Sequence, residues 1–91
     1  SCFSGFGEID PSEGNLGIYR SFMIAGSKSV IISLWNVEDE STSILFSKFY
    51  EYLKQGDSKA KSLRKAKMYL KNETSFSHPF YWAPFVLMGE S

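Results

Sequence analysis

Cys2 and His78 are the only thiol and the only imidazole in the chain, the two side-chain types that together make a nucleophile and its base. A thiol attacks a carbonyl carbon once a histidine lowers its pKa or takes its proton. Cys2 is followed by Phe3-Ser4-Gly5-Phe6-Gly7, a small-residue loop in which backbone can approach a ligand closely. The simpler reading makes Cys2 a small buried hydrophobe. His78 sits in His78-Pro79-Phe80-Tyr81-Trp82, and its simpler reading is an imidazole hydrogen-bonded where the chain enters its last strand. A Cys2–His78 dyad is compatible with the sequence, but nothing in it demands one. A third group is Trp35-Asn36-Val37-Glu38-Asp39-Glu40. Asp39 either caps a helix, worth about 1 kcal/mol, or joins Glu38 in a negative pocket for a basic side chain. Trp35 walls that pocket or seals the end of the sheet. No metal or cofactor is expected.

The element that must position these groups is residues 29–35, SVIISLW. The run is almost continuously apolar, the pattern of a strand buried on both faces. Helical patterns flank it at 16–25 and 41–53, with stripes Leu16, Tyr19, Phe22, Met23 and Leu45, Phe46, Phe49, Tyr50, Leu53. This order predicts an α/β layered domain in which helices cover a largely parallel sheet. Sites in such sheets form at the carboxyl ends of strands, where Trp35 to Asp39 lie. Gly26 is placed as the residue closing the first helix, Gly56 as the end of the second. Asp57 or Ser58 caps a third helix with stripe Ala60, Leu63, Ala66, Leu70, and residues 8–13 and 72–79 read as loops. Residues 83–88, APFVLM, are a last short strand, expected antiparallel to 29–35 because a helical hairpin returns the chain to the end it left.

Ninety-one residues make at most one small domain, and two strands with the tail of a third ending at Cys2 are too few for a sheet buried on both faces. The chain therefore reads as the carboxy-terminal part of a larger domain, incomplete over 1–91. Ten basic and ten acidic residues cancel, so no global field favours nucleic acid or an anionic membrane. The six basic residues of 59–71 read as a solvated helix face, because no aromatic stacking pattern accompanies them. One cysteine excludes an internal disulfide, and neither a leader nor a membrane span is visible. A reducing, cytoplasmic setting fits.

The succession Cys2-Phe3-Ser4-Gly5, the 14–26 segment ending in Ala-Gly, Ser33-Leu34-Trp35-Asn36-Val37-Glu38-Asp39, and His78-Pro79-Phe80-Tyr81-Trp82-Ala83-Pro84-Phe85 with Gly89 resembles the carboxy-terminal half of a CHAT domain. This caspase-like module is often found with tetratricopeptide repeats. The resemblance implies a three-layer sandwich with helices on both faces of a mostly parallel sheet. It implies a cysteine endopeptidase with Cys2 as nucleophile and its catalytic histidine upstream, which leaves His78 structural and the isolated chain inactive. Similarity to separases carries over to Asp39 a preference for a basic residue before the cut bond. The expected partners are a protein or peptide substrate and tetratricopeptide repeats in the same protein. The alternative is an inactive caspase-like scaffold that binds a partner through its sheet edge or aromatic surface.

Overall fold

The computed structural model describes residues 6–9 and 17–90. They form a small α/β unit: β1 (Phe6–Ile9), β2 (Arg20–Ile24), β3 (Val30–Ser33), α1 (Asp39–Lys54), α2 (Lys59–Glu73), a 3-10 turn (Pro79–Tyr81) and β4 (Phe85–Met88). The four strands lie in the order β1-β2-β3-β4, and every neighbouring pair is antiparallel.

The expectation of a largely parallel sheet is therefore corrected for the described residues. Its source is the segment expected as a helix over 16–25, of which Arg20–Ile24 is a strand, and residues 6–9, expected as loop, are the strand that pairs with it. Phe22 and Ile24 are fully buried while Met23 between them is half exposed, the period of two that defines a pleated strand. The same apolar residues also fit a period of 3.6, so sequence periodicity alone does not choose. The hairpin chooses. Gly26 takes φ +75°, a left-handed conformation glycine adopts without steric cost. Ile24 N–H donates to the Ser29 carbonyl at 3.2 Å, and Met23 pairs with Val30.

The central strand is shorter than the apolar run that announced it. Ile31 and Ile32 are buried, as expected, but Leu34 and Trp35 lie beyond the strand and are exposed. The register puts Phe22, Ile31 and Leu87 on one face, and this face carries both helices. Phe22, Ile24, Ile31 and Phe85 join Leu45, Phe46 and Phe49 of α1 and Leu63, Ala66 and Leu70 of α2 in one core. The Phe46 ring lies 4.7 Å from Phe22 and 5.8 Å from Phe85, centre to centre. The opposite face, with Met23, Val30, Ile32, Val86 and Met88, carries no helix among the described residues, and Met23 and Met88 are about half exposed. Where helices on both faces were expected, the described residues place helices on one.

The remaining elements follow the sequence reading. The α1 stripe is buried at Leu45, Phe46 and Phe49, and α2 starts at Ser58, whose hydroxyl accepts from Lys61 N–H at 3.1 Å. Asp57, at the hairpin between them, is 2.8 Å from Lys65, whose hydrogen bond holds the carboxyl below its ordinary pKa. β4 is antiparallel to β3, as the helical hairpin requires. It ends at Gly89, where φ is +109° and a Cβ would stand 3.0 Å from the Ser29 Cα. His78 has the structural role read for it: it is the N-cap of the 3-10 turn, and its Nδ1 accepts from Phe80 N–H at 3.0 Å.

Three outcomes check this account in denaturant titrations. Phe46→Ala should lower the unfolding free energy by about 3–5 kcal/mol, since it empties the contact of α1 with Phe22 and Phe85 of the sheet. Ser62→Ala should raise it by about 1 kcal/mol, because the Ser62 hydroxyl is buried with no hydrogen-bond partner. His78→Ala should cost about 1 kcal/mol and His78→Asn much less, since asparagine can also cap a helical turn.

Candidate functional site

The end of β3 is built by two residues that leave the strand in opposite ways. Ser33, buried, donates its hydroxyl to the Trp35 carbonyl at 2.6 Å, and the Ser33 carbonyl accepts from Tyr19 N–H at 2.7 Å. This tightens the exit from the sheet and turns Trp35 outward. The indole then reaches across the sheet end: its N–H donates to the Phe80 carbonyl at 3.0 Å. The two rings stack at 6.1 Å and 25°. Trp35 is 38% and Phe80 44% exposed, so the pair forms a fixed aromatic surface open to solvent. Its orientation rests on the His78-capped turn that carries Phe80.

Val37 returns to the core, 4% exposed, and anchors the start of α1. The N-cap position belongs to Glu38, not Asp39, and the Glu38 side chain makes no capping hydrogen bond. The Glu38 carbonyl is engaged instead, accepting from the Thr42 hydroxyl at 2.8 Å. Asp39 and Glu40 occupy the first turn, where their charge favours the helix dipole. The carboxylate of Asp39 is 91% exposed, and one oxygen lies 4.0 Å from Arg20 Nη1. Arg20, at the start of β2, also lies over the Phe22 ring, 5.8 Å from its centre. Arg20 and Trp35 line one crevice with Tyr19, Ser33, Val37 and Thr42, too narrow to admit water.

Trp35, Glu38 and Asp39 are thus brought to one end of the sheet, joined by two residues that sequence reading did not select, Arg20 and Phe80. Arg20 was hidden by the helical reading of its segment. Phe80 is 45 residues from Trp35, and only its place in an aromatic run marked it. Cys2 lies outside the described residues. No group of histidine, cysteine, aspartate or glutamate suited to holding a metal occurs among the described residues. No helix among them is long and apolar enough to cross a membrane.

The chain is similar to tetratricopeptide repeat protein 28 of Homo sapiens and of Mus musculus, with 32% identity over 78 residues in each case. These matches cover 86% of this chain but only 3% of each relative's length. No solved structure matches it. The CHAT domain family model matches residues 1–90, nearly the whole sequence, and the chain belongs to the CHAT domain family.

Proposed function

We propose that this chain supplies the carboxy-terminal part of a caspase-like cysteine endopeptidase that cuts after a basic residue. Cys2 is the nucleophile and an upstream histidine is the base. The histidine takes the thiol proton, the sulfur bonds to the carbonyl carbon, and nearby donors hold the oxyanion. The amine leaves with the proton from the imidazolium, and water then hydrolyses the thioester, regenerating the thiol. No cofactor takes part. The setting is cytoplasmic, where a free thiol stays reduced, and tetratricopeptide repeats in the same protein present the substrate.

The observation that carries the specificity is the placement of Asp39. A carboxylate at the first turn of α1, nearly all in solvent, does no capping and lies 4.0 Å from Arg20, which lines one crevice with the exposed Trp35. Glu38 adds a second negative charge beside it. A basic side chain relieves the repulsion between neighbouring carboxylates and finds an aromatic wall in Trp35. The half-exposed Met23 and Met88 support the wider three-layer architecture, in which further helices cover the second face of the sheet.

The same sheet face, which carries no helix among the described residues, favours one other reading, an inactive scaffold. An apolar sheet face and the Trp35–Phe80 surface are the kinds of exposed area that bind protein partners.

Turnover of a fluorogenic peptide library by the full-length protein separates the two. Cleavage should vanish in Cys2→Ala, and residues 1–91 alone should show none. Asp39→Asn should reduce kcat/KM after Arg or Lys about 10–100-fold, the loss of a charge-assisted contact, while Tm barely moves. Intact cleavage with a lowered Tm would reduce Asp39 to a helix-dipole residue. No Cys2-dependent cleavage by the full-length protein would leave the scaffold.

A further inference from the structure

We infer that Arg20 is a built-in competitor for the cationic side chain received at Asp39, so that the protein itself sets the threshold for binding basic residues there. The inference rests on the proposal that Asp39 receives the basic side chain of the substrate and names what regulates it.

Arg20 is the first residue of β2, paired with Ser33 at the end of β3. This register places its guanidinium on the helix-bearing side of the sheet, over the Phe22 ring and within 4.0 Å of an Asp39 oxygen. The arrangement holds an arginine between an aromatic ring and a carboxylate. A substrate arginine would meet the same two types of group, the Trp35–Phe80 surface and Asp39, from the solvent side.

The two partners of the pair are unequal. Arg20 is 27% exposed and Asp39 91%. Arg20 is thus fixed by its strand and by packing, while the carboxylate stays almost wholly available. A contact at this limit of distance and exposure is weak and can be displaced or shared. The sign of its effect on a ligand is fixed by charge. A second cation at Asp39 sits near the first and is repelled by it, whereas an uncharged side chain feels no such penalty. At separations of about 5–6 Å in a solvent-like medium, this repulsion corresponds to roughly a 3–5-fold loss of affinity, and more where water is partly excluded. Arg20 therefore lowers affinity for basic residues selectively, a tuning that the carboxylates alone cannot provide.

The test is binding, which does not depend on turnover. Fluorescein-labelled Ala-Ala-Arg-Ala and Ala-Ala-Leu-Ala are titrated by anisotropy into the full-length protein carrying Cys2→Ala, with and without Arg20→Gln. Loss of Arg20 should tighten the arginine peptide about 3–10-fold and leave the leucine peptide unchanged. Arg20→Lys, which keeps the charge, should stay near the parent. In the Asp39→Asn background, Arg20→Gln should have no effect. Arg20→Met, which keeps an aliphatic stem against Phe22, replaces Arg20→Gln if Tm reveals loss of the fold.

Unchanged or weaker arginine binding on loss of Arg20 overturns the inference, as does a gain that survives Asp39→Asn. Failure of either parent or variant to bind the arginine peptide overturns it too. If the full-length protein with Cys2 intact cleaves no peptide, the endopeptidase reading fails by itself, and the anisotropy comparison still decides the role of Arg20.

Discussion

One phenylalanine on α1 holds the layers together. The Phe46 ring touches Phe22 on β2 and Phe85 on β4, strands that flank β3 on either side. One helix and two strands therefore meet at one fully buried side chain. The site depends on this contact indirectly. With the α1 stripe held against the sheet, the amino end of the helix has one place to stand, just past the end of β3. Val37, also buried in the core, pins the connection between them. The three residues after it, Glu38, Asp39 and Glu40, are then presented at the rim because the chain on either side of them is anchored.

Much of this was legible. The stripes of α1 and α2 repeat at three and four over several turns, long enough for periodicity to identify them, and Ser58 lies where a cap is needed. The antiparallel direction of β4 followed from the geometry of a helical hairpin. The structural role of His78 was legible because Pro79 fixes the chain just after it, leaving the imidazole free to take the orphan N–H of Phe80. The segment 20–24 was not legible. Five residues containing Phe22, Met23 and Ile24 satisfy both a helix and a strand, and only pairing across a turn distinguishes them. The error then propagated, because helix–strand–helix order implies a parallel sheet, whereas a strand on each side of a tight turn makes a hairpin.

The candidate site was legible as residue types and not in the contacts that join them. The sequence marks Trp35 and the three acids by type and adjacency. It cannot show that the Trp35 indole is held by a carbonyl 45 residues away, since nothing local to either residue encodes that hydrogen bond. Arg20 shares the fate of its strand: read on a helix, it has no reason to approach Asp39. The cap alternative for Asp39 failed by one residue. Its physical content changed more than its position did, because a cap is consumed by the backbone and an uncapped carboxylate is available.

The electrostatics of the α1 amino end explain why such availability is tolerated. Three adjacent carboxylates repel one another, yet each lies within the first turn or next to it, where the aligned peptide dipoles favour negative charge by about 0.3–1 kcal/mol per group. Arg20 supplies a further counter-charge but sits on the wrong end of the helix for its own sign. The dipole that favours Asp39 disfavours the guanidinium beside it. The pair therefore cannot be understood as a device for stability. Its attraction is screened by an almost fully exposed carboxylate, and the helix dipole offsets part of what remains. The carboxylate is thus stabilised by the helix and only loosely engaged by Arg20, at the end of the sheet that also presents the aromatic surface of Trp35 and Phe80.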